Sequence, residues 1–173
     1  MSAIQAELDG FPGPPAPAGI TERTMLDALH RRYGAVLGNG RRYVVAEHVR
    51  SHASFDARRT ADFVALDTWK SGKFDLHGHE VKISRSDWLR ELAEPEKAGE
   101  FTPWMNRWWV VIADPSIVRP GELPAAWGLL VLRGSTLAAA RTAPRRETPL
   151  LPPTRFAALM RAVQKTAAAR GAK

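Results

Sequence analysis

Ala61-Asp62-Phe63-Val64-Ala65-Leu66-Asp67-Thr68-Trp69, a turn at Lys70-Ser71-Gly72-Lys73, and then Phe74 through Ser84 are the stretch whose reading decides the fold. The first run is rich in β-favouring side chains and apolar on both faces between Phe63 and Leu66. That is the pattern of a strand inside a sheet covered on both sides. The short glycine-containing connection predicts that the two runs pair as an antiparallel hairpin. Alternation puts Glu80 and Lys82 on one side of the second strand, with Ser84 following, and Val81 and Ile83 on the other. Asp62 precedes Glu80 with 17 residues between them, and hairpin pairing brings its carboxylate alongside Glu80.

Elements on either side extend the pattern. Upstream, Tyr43 to Val49 is a further β-favouring run. Before it, Met25, Leu26, Leu29, Tyr33 and Val36 recur at helical spacing behind the N-cap Thr21, with Gly38 or Gly40 as the stop. Downstream, Ser84-Arg85-Ser86-Asp87 reads as a capping box opening a helix that carries Trp88, Leu89 and Leu92 and breaks at Pro95. Arg107 to Ala113 is a buried strand ended by Asp114-Pro115. Residues 128–132 and 136–141 are two more strands, turning at Gly134-Ser135. Phe156, Leu159, Met160 and Val163 predict a last amphipathic helix docked by that stripe. The expected fold is therefore α/β, a mixed β-sheet flanked by helices. Its expected parts are a Pro/Gly-rich leader over 1–19, one domain over 20–141, and a basic linker and helix over 142–173.

Composition narrows the function classes. Apolar residues make up 45% of the 173, enough for a real core. With no cysteine, disulfides and thiolate-bound zinc are excluded and a reducing cytoplasm is the expected home. The start of the sequence has no signal-peptide pattern, and no apolar run approaches the roughly 20 residues of a membrane span. The net charge is +7, and residues 133–173 hold nine Lys/Arg against Glu147 alone. That basic quarter suits a polyanionic partner such as nucleic acid.

Two carboxylates brought together repel unless a cation sits between them. Asp62 and Glu80 offer hard oxygen ligands, which suit Mg2+, with Mn2+ able to substitute, and the Val81 backbone carbonyl can add another. A metal so held polarises a phosphodiester and lowers the pKa of a bound water. Lys82, on the Glu80 side of the strand, can hold the attacking water or stabilise charge on the phosphate.

The string Asp62…Glu80-Val81-Lys82 resembles the signature of PD-(D/E)xK nucleases. With Arg58-Arg59-Thr60-Ala61 before it, Ile83 to Trp88 after it and Asn106 to Val111 beyond, the chain resembles MmcB-like DNA-repair proteins and their actinobacterial and phage relatives. The resemblance covers roughly residues 21–160. It implies a restriction-endonuclease-like αβββαβ core, Mg2+ dependence and cleavage of DNA in repair, recombination or phage DNA metabolism. Asp62 and Glu80 are then metal ligands and Lys82 the catalytic lysine. The family often has a further acid upstream, commonly on the first helix. Glu22 lies near the start of that helix, while Glu47 sits where the MmcB-like pattern has its acid, so Glu47 is taken as the fourth member. Ala61 stands where the signature has proline. Many nucleases of this fold dimerise to cut two strands, so the resemblance allows a homodimer, while the sequence itself does not fix the oligomeric state. A nucleic-acid-binding module that keeps the fold without cutting is the alternative.

Arg58 and Arg59, at the start of the Asp62 strand, are candidate phosphate contacts. So are Ser84, which also caps a helix, and Lys97, one helix further on. His48, His52, His77 and His79 do not form a zinc-ligand set of firm spacing. Trp69, beside the lysine-bearing turn, is the best candidate to stack on a base.

Overall fold

A computed structural model of the chain describes residues 19–34, 36–37, 40–53, 59–94 and 99–171. The leader expected over 1–19 lies outside these except for Gly19. Arg58, Gly38, Pro95 and Lys97 also lie outside them.

Helix α1 spans Glu22–Tyr33. Thr21 caps it, its hydroxyl accepting from Thr24 N while Thr24 reaches back, which satisfies amide groups that a helix start leaves open. The helix ends three residues earlier than the spacing of Val36 implied. Gly34 is its C-cap, and Val36–Leu37 (β1) instead pairs with Gly40–Arg41 (β2).

Six strands then form one sheet in chain order: β3 (Tyr43–Arg50), β4 (Thr60–Asp67), β5 (Leu76–Lys82), β6 (Arg107–Ile112), β7 (Trp127–Arg133) and β8 (Thr136–Arg141). The β3–β4–β5 portion is antiparallel, with Phe63 opposite His79 and Leu66 opposite Leu76, so the expected hairpin forms. β6 and β7 run parallel to β5, and β8 turns back antiparallel. Helix α2 (Arg85–Ala93) makes the crossover from β5 to β6. Parallel neighbours need such a crossover, since no tight turn can join them.

Both faces of the sheet are covered. On one, Met25, Leu26 and Leu29 of α1 and Trp88 of α2 pack with Phe63, Val110 and Leu130. Each fully buried apolar side chain of this size contributes roughly 1.5–3 kcal/mol. On the other face lies helix α3 (Pro153–Gly171), packed against Ala46, Val64 and Trp108. The stripe expected to dock α3 is rotated. Leu159, Ala158, Ala162 and Thr166 are buried, while Phe156 and Met160 are exposed. The small side chains let α3 lie close over β3, and Thr166 Oγ1 accepts from Glu47 N at 2.9 Å. Backbone satisfaction and close approach outweighed the larger apolar stripe. The basic segment 142–152 is tied down as well: Ala143 is fully buried, and Asn106 Nδ2 donates to Arg146 O and Thr148 Oγ1.

The described residues thus form a mixed α/β fold with a six-stranded sheet and three α-helices. No helix among the described residues is long and apolar enough to cross a membrane.

Candidate functional site

The Asp62 rung is irregular in both strands that meet there. Ala46 and Val49 of β3 pack on the α3 face although they are three residues apart, and so do Ala61 and Val64 of β4. Strict alternation forbids that, so each strand changes face between them. In β3 the change falls at His48, whose φ of 50° lies in the left-handed region that non-glycine residues rarely occupy. In β4 it falls beside Asp62. The ladder matches Glu47 with Phe63 and Val49 with Ala61, skipping His48 and Asp62.

On its other side β4 parts from β5 at the same level, the last paired rung being Phe63 with His79. β5 continues along β6 as far as Lys82 opposite Ile112. Asp62 bridges the opening: its Oδ2 accepts from Val81 N at 2.7 Å. The Lys82 carbonyl accepts from Ala113 N on the β6 side. Val81, one residue earlier, therefore directs its amide and its carbonyl to the β4 side, into the opening.

The opening leads to a cleft of about 330 Å3 lined by Glu22, Asp62, Glu80, Asp87 and Glu91 with Lys82 and Arg90. Lys82 Nζ donates to Glu80 Oε1 at 2.8 Å and lies 2.9 Å from Glu91 Oε2. Glu91 comes from α2, one turn after the buried Trp88, and is itself buried. Burial works against the Lys82 ammonium, but Glu80 and Glu91 outweigh it and raise its pKa. Burial also raises the two strand carboxyls, Asp62 to about 6 and Glu80, with the charge of Asp62 beside it, to about 8. Five carboxylates against two cations is an environment short of positive charge.

A second grouping shares Asp62. One ligand atom each from Glu22, His48 and Asp62 lie within 4.8 Å of one another. His48 Nε2 is 3.8 Å from Glu22 Oε1. Glu22, His48 and Asp62 together offer oxygen and imidazole donors able to hold a divalent cation, and Glu80 lines the cleft with Glu22 and Asp62.

Asp62, Glu80 and Lys82 come together, and the Val81 carbonyl faces them. Glu47 does not join them. It lies on the α1 face, where its carboxylate accepts from Arg23 Nη1 and Nη2 at 2.8 and 2.7 Å, from Arg170 Nη2 at 2.7 Å, and meets His30 Nε2 at 2.6 Å. Burial raises its pKa, but the bonds to Arg23 and His30 prevail and lower it. Glu47 is a clamp joining α1, β3 and α3, and the acid that reaches the cleft from upstream is Glu22. Ser84 Oγ accepts from Asp87 N at 3.2 Å as the N-cap of α2. Arg59 lies 3.6 Å from Glu94 and 3.9 Å from Glu100.

His48 and Glu91 were missed by sequence reading. The i, i+3 spacing from Trp88 to Glu91 could have flagged Glu91 as inward-facing. Nothing in the sequence signals the turned backbone of His48. His79 is buried in the core, its Nε2 meeting Tyr33 Oη at 2.8 Å, and His77 beside it is partly exposed. Trp69 is partly exposed beneath the Arg42 guanidinium.

No family model matches the chain, and no curated protein matches it. A solved structure of a protein of unknown function from Silicibacter pomeroyi is similar in fold, with a TM-score of 0.58 and 20% identity over 89% of this chain and 90% of that one. The likeness supports the mixed α/β architecture and carries no activity with it.

Proposed function

We propose that the chain is a Mg2+-dependent nuclease with a restriction-endonuclease-like core, hydrolysing phosphodiester bonds of DNA in repair, recombination or phage DNA metabolism. The observation that carries this reading is the meeting of Asp62 and Glu80 at the parting of β4 and β5, with Lys82 beside them. The order of α1, three antiparallel strands, α2 and a parallel strand agrees with the αβββαβ core that the sequence resemblance implies. The pathway rests on that resemblance alone.

The residues fit a divalent cation. Two half-buried carboxyls, raised first by desolvation and in Glu80 also by the charge of Asp62, line one cleft with Glu22, and their oxygens are hard donors. Asp62, Glu80, the Val81 carbonyl and Glu22 would hold it, and Mn2+ would substitute for Mg2+. When bound, the ion would supply Lewis acidity toward a phosphate oxygen and a more acidic water.

The chain's own groups have separate roles. Asp62 keeps its orientation through the Val81 amide. Glu91 holds the Lys82 ammonium at the wall of the cleft. From there Lys82 donates a hydrogen bond to the attacking water or to a phosphate oxygen as charge develops, worth on the order of 3–4 kcal/mol for a well-placed donor. DNA cleavage with Mg2+, absent with EDTA and abolished by Glu80→Ala, tests the reading. Metal-dependent cutting that survives Glu80→Ala would overturn it. Salt-sensitive DNA binding without turnover would favour a non-cleaving binding module instead.

A further inference from the structure

We propose that a nucleic-acid strand reaches the cleft along the groove between β3 and α3, its phosphates held by Arg50, Arg161 and Lys165. The inference rests on the nuclease reading above and adds where the polyanion lies. The groove, of about 170 Å3, presents His48, Arg50, His52, Arg161 and Lys165 over small side chains such as Ala158 and Ala162. Among the described residues no acid lines it, whereas five acidic side chains line the neighbouring cleft. His48 lines the groove, and its Nε2 lies 3.8 Å from Oε1 of Glu22, which lines the cleft.

Helix α3 shows the same sorting of charge. Its 19 residues include Arg155, Arg161, Lys165 and Arg170 and no acid. Two of these serve the fold. Arg170 holds Glu47 and Asp27, and Arg155 donates to the carbonyls of Ser51 and Glu100. Arg161 and Lys165 are exposed and stand one helical turn apart, an arrangement in which like charges repel. Arg161 makes a 3.4 Å bond to the Ala53 carbonyl, and Lys165 makes no ion pair among the described residues.

Small residues at 158 and 162 let α3 approach β3, so cations from both walls line one path. Carboxylates in the cleft repel every phosphate except the one that shares a metal with them. Cations outside the cleft must then hold the flanking phosphates, and this groove supplies them at the cleft's edge.

The test is fluorescence anisotropy of labelled duplex and single-stranded DNA with the full chain, in Ca2+ to hold the complex without cutting. Arg161→Ala with Lys165→Ala should weaken binding by at least about tenfold. It should also reduce the slope of log affinity against log salt by about 2, near one unit for each phosphate no longer neutralised. Lys70→Ala with Lys73→Ala, in the turn between β4 and β5, should leave both nearly unchanged. Should the alanine pair lower the melting temperature, Arg161→Gln with Lys165→Gln repeats the measurement on a folded chain. Wild-type binding that is indifferent to the α3 substitutions, or equally sensitive to both pairs, overturns the groove and leaves the nuclease reading standing. A wild-type chain that binds no DNA at low salt overturns both.

Discussion

The Val81 amide donates to Asp62 Oδ2 at 2.7 Å across the gap where β4 and β5 part. A side chain thus does the work of the missing rung, which fixes the carboxylate and leaves its second oxygen for the cleft. Asp62→Asn keeps an oxygen acceptor for that amide and removes the charge. It should fold with nearly wild-type stability and lose Mn2+ affinity by more than about tenfold. Asp62→Ala should lose the same affinity and also about 1–2 kcal/mol of stability through the unmade hydrogen bond. Urea unfolding and Mn2+ titration of the two variants separate the roles.

Stability should depend on pH in an unusual direction for carboxyls. Unfolded Asp and Glu titrate near about 4, whereas Asp62 and Glu80 titrate at about 6 and about 8 in the folded chain. Between those values the folded state holds protons that the unfolded state has released. The contribution is fully present below about 4 and is lost as pH rises from there, through about 6 for Asp62 and about 8 for Glu80. Thermal melts in EDTA should show this fall, and Mg2+ should oppose it most at the alkaline end. A metal-free melting temperature that rises steadily over the same interval would mean that the two carboxyls are not raised.

Glu47 should behave as a clamp. Glu47→Ala leaves Arg23, His30 and Arg170 without their shared partner and should cost about 2–3 kcal/mol, the scale of hydrogen bonds to charged groups. Metal affinity should stay within about twofold of wild type, since additive behaviour is expected of groups with no shared partner. Affinity that collapses in a folded Glu47→Ala chain would return Glu47 to the site.

Gly78 lies under Trp108, where an added Cβ would stand 2.4 Å from the ring. Gly78→Ala should therefore destabilise the chain by about 1–3 kcal/mol, the range for overpacking a core. Chemical denaturation checks it, and an unchanged midpoint would show that the indole moves aside freely.

Much of the sheet was legible because its signals are local. Phe63 to Leu66 is apolar on both faces, and the segment lies in the middle of a covered sheet. Glu80, Lys82 and Val81 obey the period of two, so their sidedness followed from counting. What escaped depends on partners far away in sequence. Glu47 follows Tyr43 and Val45 onto the α1 side, where the acid that the family pattern suggested is spent on Arg23, His30 and Arg170, and the turned backbone at His48 and the face change beside Asp62 come only after it. Glu22 reaches the cleft instead because α1 begins there. Phe156 and Met160 looked like the docking stripe of α3, yet the helix turned to seat Ala162 and Thr166 against β3. A helical pattern shows that an apolar face exists, but the neighbour's shape decides which residues it takes.

Asp62 and Glu80 are proposed to gather around a divalent cation, and anomalous diffraction from crystals soaked in Mn2+ would locate it. An ion is expected within bonding distance of both carboxylates, with none there in crystals of Glu80→Gln. A cleft without Mn2+ at saturating concentration, or an ion bound only elsewhere, would contradict it.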